Sequence, residues 1–250
     1  MSEIKWQKVN IPDLSAEASD LQDETFGKTV KNVRRIAVEN SELTIPDPKA
    51  FRSMSRASLL LSNLCMDAKA VIDPYLAESP FGVGIYCAVE NGPIDAPTTA
   101  KIIAGEEAKF AELYRKLRSP KMYLKQLPNL VPAQLGIFLG IQGTLNVYTH
   151  SKVGSVQALE QAEEDLWHDR VKLALVCTAH AFDDFLVVAR TAKGEPRALA
   201  EGTAALVLAK SSRRTNWKER LTSDEKTYFG ISDQIVNLVR RSECQTKQNF

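Results

Sequence analysis

The sequence predicts an α/β layered fold, because short apolar strands alternate with amphipathic helices along most of its length. Gly82 to Val89, Val171 to Thr178 and Gly202 to Leu208 are nearly unbroken apolar runs of strand length, as expected of strands covered on both faces. The hydrophobic share, 44%, and charged share, 25%, are those of an ordinary globular protein. A length of 250 residues fits one large domain over 1–250, with 1–29 a poorly defined N-terminal segment and 243–250 a polar tail that frays.

Residues 1–29 are polar and show little periodicity. Lys31 to Leu43 holds Val33, Ile36 and Val38 among charges, which predicts a strand or hairpin, and Pro46 and Pro48 then break the chain. From Ser53, apolar residues Met54, Leu60, Leu61, Leu64, Ala68 and Val71 recur at helical spacing through Ile72. Pro74 and Pro80 are expected to end that helix. A strand follows at 82–89, then a helix over Thr98 to Leu117 with Ala100, Ile103, Phe110, Leu113 and Leu117 on one side. Pro120 and Pro128 are expected to bracket an irregular connection.

Leu130 to Leu139 reads as an apolar helix stopped by Gly140, Thr144 to Thr149 as a short strand, and Val153 to His168 as a helix. Val171 to Thr178 is a buried strand, residues 184–190 and Gly202 to Leu208 are further strands, and Ser232 to Arg241 is a final helix.

Charge and motifs exclude several classes of function. The formal net charge of +1 gives no global field for nucleic acid or an anionic membrane. No apolar run reaches membrane-spanning length, and Met1 to Asn10 lacks the apolar core of a signal peptide. The cysteines, Cys65, Cys87, Cys177 and Cys244, form no CxxC pair, so a reducing, cytoplasmic location is expected, with no disulfide framework, metal site or cofactor. Gly27-Lys28-Thr29 mimics the end of a phosphate loop, but Gln22 stands where the first glycine belongs. Gly82-Val83-Gly84 lacks the third glycine of a dinucleotide fingerprint, and no GxSxG elbow exists. His150, His168 and His180 are too widely spaced for a helical metal pair.

A set of motifs from residue 50 to 210 carries more. Leu127-Pro128-Asn129 through Gly140-Ile141-Gln142-Gly143 is an apolar helix leading to a glycine-bounded turn. Leu145-Asn146-Val147-Tyr148-Thr149-His150-Ser151-Lys152-Val153-Gly154 follows, then Lys172 to Thr178 with Ala179 and His180, and Glu201-Gly202-Thr203-Ala204-Ala205-Leu206-Val207-Leu208. Ser55-Arg56 to Ala68 precedes them. In this order and spacing the set resembles the N-terminal half of a β-ketoacyl synthase, which implies a thiolase-like, α-β-α layered fold. The likeness is nearest to a shortened chain-length factor of a bacterial aryl-polyene type II polyketide synthase.

The departures from that family bear on chemistry. Aligning Thr149 and Gly154 places Ser151 at the nucleophile position, where thioester exchange needs a thiolate. His150 precedes it and Lys152, a bulky charge, follows it. The two histidines that such an enzyme uses for decarboxylation belong to the second half of its fold, and no histidine occurs here after His180. The resemblance therefore implies a non-catalytic subunit that forms a heterodimer with an active β-ketoacyl synthase. It further implies contact with an acyl carrier protein bearing its acyl chain on phosphopantetheine, and neither nucleic acid nor a membrane span.

The family's dimer pairs the strand before the nucleophile, here Thr144 to Thr149, so Thr144, Val147, Thr149 and His150 are expected at the interface. Without a twin half, apolar helix and sheet surface is expected to be bare. Leu130, Gln134, Leu135 and Phe138 share a helix face, with Leu135 and Phe138 as candidate stops for the growing chain and core packing as the plainer alternative. Arg213, Arg214 and Lys218 form the clearest basic cluster, a candidate carrier-protein contact or a solvated loop. Two rivals remain open: a hydrolase or acyltransferase using Ser151 with His150 or His180, and an acyl-binding scaffold protein.

Overall fold

The computed structural model describes residues 2–23, 25, 27–37, 53–90 and 92–248, with the side chains of 243–248 excepted. Val38 to Leu43, Pro46 and Pro48 thus lie outside the described residues, as does the Cys244 side chain. In chain order the strands are β1 Glu3–Asn10, β2 Ser19–Asp23, β3 Lys28–Arg34, β4 Val83–Val89, β5 Leu145–Tyr148, β6 Leu173–His180, β7 Ala198–Ala200, β8 Gly202–Ala209 and β9 Thr227–Tyr228. The helices are α1 Arg56–Cys65, α2 Lys69–Glu78, α3 Ala96–Ile103, α4 Phe110–Leu117, α5 Pro120–Gln126, α6 Leu130–Leu139, α7 Gly154–Trp167, α8 Phe185–Gly194, α9 Trp217–Arg220 and α10 Asp233–Gln248.

The larger sheet runs β1-β8-β6-β4-β5. β4 lies between β5 and β6 and is parallel to both, while β8 is antiparallel to β6 and β1 antiparallel to β8. Every residue of β4, β6 and β8 is buried, as their predominantly apolar sequences require. Alternate residues serve the two faces. Tyr86, Val176 and Leu206 face α7 and α10, and Ile85, Leu175 and Val207 face α1 and α6. This is the three-layer α-β-α arrangement the sequence predicts.

A second sheet, β2-β3-β7-β9, holds a small core of Val30, Val33, Phe182, Val188 and Leu199. Gly27 closes the β2–β3 turn at φ +58°, a conformation glycine adopts without penalty, so the phosphate-loop mimic is a hairpin turn.

Two carboxylates join the sheets to α1. Asp183 accepts from the Arg56 and Ala57 amides at 2.7 and 2.8 Å, and Ser55 caps the same helix by accepting from the Ser58 amide. Glu201, fully buried, accepts from Arg56 Nε (2.6 Å) and Nη2 (2.7 Å) and from the Ile36 and Phe182 amides, each at 2.9 Å.

Several expected elements differ. Residues 1–29 include β1, β2 and the start of β3; β1 pairs along its length with β8, so its strand is set by the partner's backbone rather than by its own polar composition. Pro74 lies inside α2, which continues to Glu78 after a 3₁₀ turn at Met66–Ala68. The expected 98–117 helix is broken at Gly105, and its supposed inner residues Ile103 and Phe110 are 75% and 53% exposed. The connection after Pro120 is helix α5, with proline at its first position, where its missing N–H costs nothing.

Residues 184–190 form helix α8 rather than a strand, since the Asp184 carboxylate caps the amides of Leu186 and Val187. The helix expected to end at Arg241 runs to Gln248, through most of the supposed polar tail. Cys65, Cys87 and Cys177 are buried free thiols within the apolar core.

Removing the carboxylate at Glu201 should be severe, since it leaves a partly buried guanidinium and two amides without their acceptor. Glu201→Ala is expected to lower the unfolding free energy by about 3–5 kcal/mol in a denaturant titration. A loss comparable to that of an exposed ion pair would show that the cluster is not what ties α1 to the two sheets.

Candidate functional site

The turn between β5 and α7 carries His150, Ser151 and Lys152, the residues that the sequence likeness aligns with a nucleophile. β5 lies at the sheet's edge, paired only with β4, and its neighbours Thr144 and Thr149 are exposed. Val147 is half-buried on the α1 and α6 face, and Tyr148 on the α7 face. At the turn the His150 carbonyl accepts from the Val153 and Gly154 amides at 3.2 and 2.7 Å, starting α7. His150 Nδ1 accepts from the Lys152 amide at 3.3 Å, which spends that ring nitrogen on the backbone. His150, Ser151 and Lys152 are all exposed.

Residues 230–232 pack onto the start of α7. Ser155 donates to the Ile231 carbonyl, and Ser232 Oγ is 2.9 Å from Thr178 Oγ. A Cβ at Gly154 would sit 3.0 Å from Ile231 Cδ1, so a side chain there would make the Ile231 side chain give slightly. Between this turn and Ser151 lies an open cavity of about 240 Å³ whose walls include Lys152, Arg197, Tyr228, Gly230 and Asp233. Arg197 is its strongest cation, yet it is saturated. Its fork grips Glu195 at 2.7 and 2.9 Å, reaches Asp233 at 3.3 Å and lies 4.5 Å over the Tyr228 ring.

Neither histidine serves Ser151. His180, at the end of β6, is 1% exposed and does not line the cavity. Gly230 seals it in: at φ +54°, a Cβ there would fall 2.2 Å from His180 Nδ1. His180 instead faces Glu90, whose Oε2 lies 3.5 Å from Nδ1, and meets Phe182 edge-on with ring centroids 5.7 Å apart. Burial pushes the Glu90 carboxyl up, but the attraction of His180 and Arg190 outweighs it and holds it below the usual value. Ser151 Oγ has no hydrogen-bond partner among the described residues. A serine without a base or an orienting group is a poor nucleophile. Among the described residues there is also no group of His, Cys, Asp or Glu that could hold a metal ion, and no helix long and apolar enough to cross a membrane.

The four residues expected to share a face of α6 separate in their roles. Leu135 is fully buried in the core beneath α1. Gln134 bonds Ser58 and lies 3.5 Å from Ser53 Oγ, which fixes it against the start of α1. Leu130 and Phe138 are half-buried, and Ile137 beside them is 77% exposed. The basic cluster wraps onto α7. Arg214 pairs with Glu164 at 2.8 Å and stacks 5.1 Å over Trp167, and Lys218 pairs with Glu160 at 3.2 Å. Arg213 is exposed, with no ion pair among the described residues. The segment lies along the outer face of α7 through these contacts. Exposed apolar side chains gather on α3 to α5, with Ile103, Phe110, Tyr114, Tyr123 and Leu124.

Sequence patterns missed the Glu90–His180 pair and the Gly230 lid, because these residues are distant in the chain. The one legible sign was Gly230 itself, directly after an aromatic pair and before a helix.

No protein-family model and no curated protein sequence matches the chain. Solved structures do. The ketosynthase ApeO in complex with its chain length factor ApeC, from Xenorhabdus doucetiae, superposes with TM-score 0.59 at 12% identity, covering 85% of this chain and 58% of that one. A β-ketoacyl synthase from Burkholderia phymatum gives 0.55 at 17% identity, covering 71% and 47%. The chain has a ketosynthase-like, thiolase-type fold. A complex of a type II polyketide acyl-carrier protein with its ketosynthase, AntDE:AntF, gives 0.58 at 18% identity, covering 75% and 55%. The ketosynthase-like chain thus spans about half the length of these structures.

Two outcomes test this geometry. A fluorophosphonate or acyl-thioester probe should leave Ser151 unmodified under conditions that label an activated serine, and stoichiometric labelling at Ser151 would contradict the geometry. Glu90 is held below its ordinary value of 4.5, so its carboxylate contributes stability that is present above that pH and is lost as pH falls through the folded value. Glu90→Gln should therefore remove part of the acid-side loss of stability seen in unfolding midpoints below about pH 4.5.

Proposed function

We propose that the chain acts as a non-catalytic subunit of the chain-length-factor type, pairing with an active ketosynthase and shaping its acyl tunnel during polyketide or aryl-polyene elongation. The observation that carries this reading is the nucleophile position. The fold delivers an exposed Ser151 to the start of α7; among the described residues none of Lys152, Glu195 and Asp233, which share its cavity, hydrogen-bonds its hydroxyl, and Arg197 is committed to Glu195. A ketosynthase-like scaffold carrying a serine without a hydrogen-bond partner, where the family's chemistry calls for a thiolate, supports this reading.

Pairing through β5 supports the same reading, since an edge strand offers unpaired amides and carbonyls that a second strand satisfies. In this arrangement Thr144, Val147, Thr149 and His150 meet the ketosynthase. On α6, Phe138 and Leu130, half-buried and next to exposed Ile137, reach toward the partner's acyl chain, while Leu135 supports them from the core. An acyl carrier protein with its phosphopantetheine-bound chain is the partner that delivers substrate. Arg213 is the cation of the 213–218 cluster left open to it, because Arg214 and Lys218 are engaged on α7.

The test is co-expression with the ketosynthase encoded beside it, purifying through a tag on this chain alone. A one-to-one complex is expected, with condensing activity that disappears when the partner's catalytic cysteine is replaced. Within that complex Phe138→Ala should lengthen the products. Recovery of this chain alone, folded and uncomplexed, would overturn the proposal.

A further inference from the structure

The charges of the chain are unevenly placed. From Leu113 to Leu159 the sequence holds no Asp or Glu, and Arg115, Lys116, Arg118, Lys121 and Lys125 fall near the start of that stretch. Over 96–126, the span of α3 to α5, seven Lys and Arg stand against three Glu, whereas the remainder of the chain holds 25 against 28. The formal net charge of +1 therefore conceals a basic segment in an otherwise slightly acidic chain. The same segment carries apolar surface. Six of the twelve exposed large apolar side chains among the described residues lie between Ile94 and Leu124, a clustering that marks a contact surface rather than scattered exposure.

Rings and cations are interleaved there. Phe110 and Tyr114 stack one helical turn apart at 6.2 Å between ring centroids, and the Arg118 guanidinium lies 5.7 Å over the Tyr114 ring, so a ladder without an acid runs along α4. Tyr114, Arg118, Tyr123 and Leu124 border one common hollow, which brings the side chains of α4 and α5 to the same side. Gly92 anchors the base of the segment. A Cβ there would lie 1.8 Å from the Lys125 carbonyl oxygen, so glycine lets the end of α5 close against the loop before α3. The exposed cations are unspent: Lys109 pairs with Glu106 at 2.8 Å, but Lys101, Arg115, Lys116, Arg118 and Lys121 make no ion pair among the described residues. By contrast Lys210, Arg214 and Lys218 are each paired with an acid on or beside α7.

We propose that the outer surface of α4 and α5 is a peripheral docking face for an anionic lipid bilayer. Exposed Phe110, Tyr114, Tyr123 and Leu124 enter the headgroup boundary, and Arg115, Lys116, Arg118 and Lys121 reach the lipid phosphates on their long side chains. Such an attraction acts within about a Debye length of the lipid surface, so the local charge governs it and the net charge of the whole chain does not. Exposed aliphatic Leu124 beside the rings favours lipid over a single-stranded nucleic acid, whose bases stack on ring faces. None of these residues is among those placed against a ketosynthase, so the docking face stands apart from the accessory-subunit reading.

The test is co-flotation of the full chain with phosphatidylcholine vesicles containing about one-third phosphatidylglycerol. Binding is expected that is about tenfold or more weaker on phosphatidylcholine alone and falls as salt rises from about 0.1 M to about 0.5 M. Lys116→Glu with Lys121→Glu should weaken it about tenfold or more. The same change of charge at Lys28→Glu with Lys31→Glu, on the β2–β3 hairpin, should leave it within about twofold. Phe110→Ser with Tyr123→Ser should weaken binding about tenfold while the unfolding midpoint stays where it was. Absence of vesicle binding, equal binding to phosphatidylcholine alone, or indifference to the α4 and α5 substitutions would overturn the proposal. An oligothymidylate bound in place of the vesicles would overturn it in favour of a nucleic-acid surface. Loss of a co-purified ketosynthase in the same variants would overturn it in favour of a protein interface. Vesicle binding needs this chain alone, so its failure leaves the pairing with a ketosynthase untouched.

Discussion

The buried carboxylate of Glu201 is the constraint around which the rest of the fold is arranged. It stands between β7 and β8, where the small sheet hands the chain to the large one, and the Glu201 amide itself donates to the Arg34 carbonyl at the end of β3. A charge in that position is tolerable only when every acceptor site is filled. Arg56 and the amides of Ile36 and Phe182 fill them, which fixes the first turn of α1 and the exit of β6 at once. Asp183 then caps α1 from the same side. Burial pushes its carboxyl up, although the Arg56 and Ala57 amides pull the other way. Helix, small sheet and large sheet are thus joined by charge-assisted hydrogen bonds rather than by apolar contact alone.

A second set of buried acids governs α7. Glu163 accepts from the Ser2 hydroxyl at 2.7 Å and the Thr215 amide at 2.6 Å, holding the N-terminus and the 210–221 segment against the helix. Asp165 accepts from the Tyr86 hydroxyl at 2.7 Å and pairs with Arg170, bridging helix to central strand. Outside these, Glu160 and Glu164 take Lys218 and Arg214. The helix that positions Ser151 is therefore clamped on its inner face by buried hydrogen bonds and wrapped on its outer face by paired cations. Rigidity at the start of α7 is what places the Ser151 turn, and that rigidity does not depend on any reaction taking place there.

The cavity beside Ser151 offers few unengaged groups. Its arginine is committed to Glu195 and Asp233, its nearest buried histidine is closed off by Gly230, and its serine is bare. The surface carries the edge strand β5, an exposed Ile137 on α6, and exposed apolar side chains on α3 to α5.

The sequence by itself determined the layered fold, because β4, β6 and β8 are apolar at nearly every position and only a sheet covered on both faces can bury such strands. It also placed α6 with its Gly140 stop, α7, and Ser151 between β5 and α7, since these depend on local periodicity and caps. Only the tertiary structure decided β1, whose polar sequence becomes a strand through pairing with β8, and α8, where the Asp184 cap outweighs a strand-like apolar run. Only it decided that Leu135 is core, that Arg214 and Lys218 are spent on α7, and that Glu90 meets His180. Local propensity can be read along the chain, whereas the neutralisation of a charge and the covering of a face are set by residues scores of positions away.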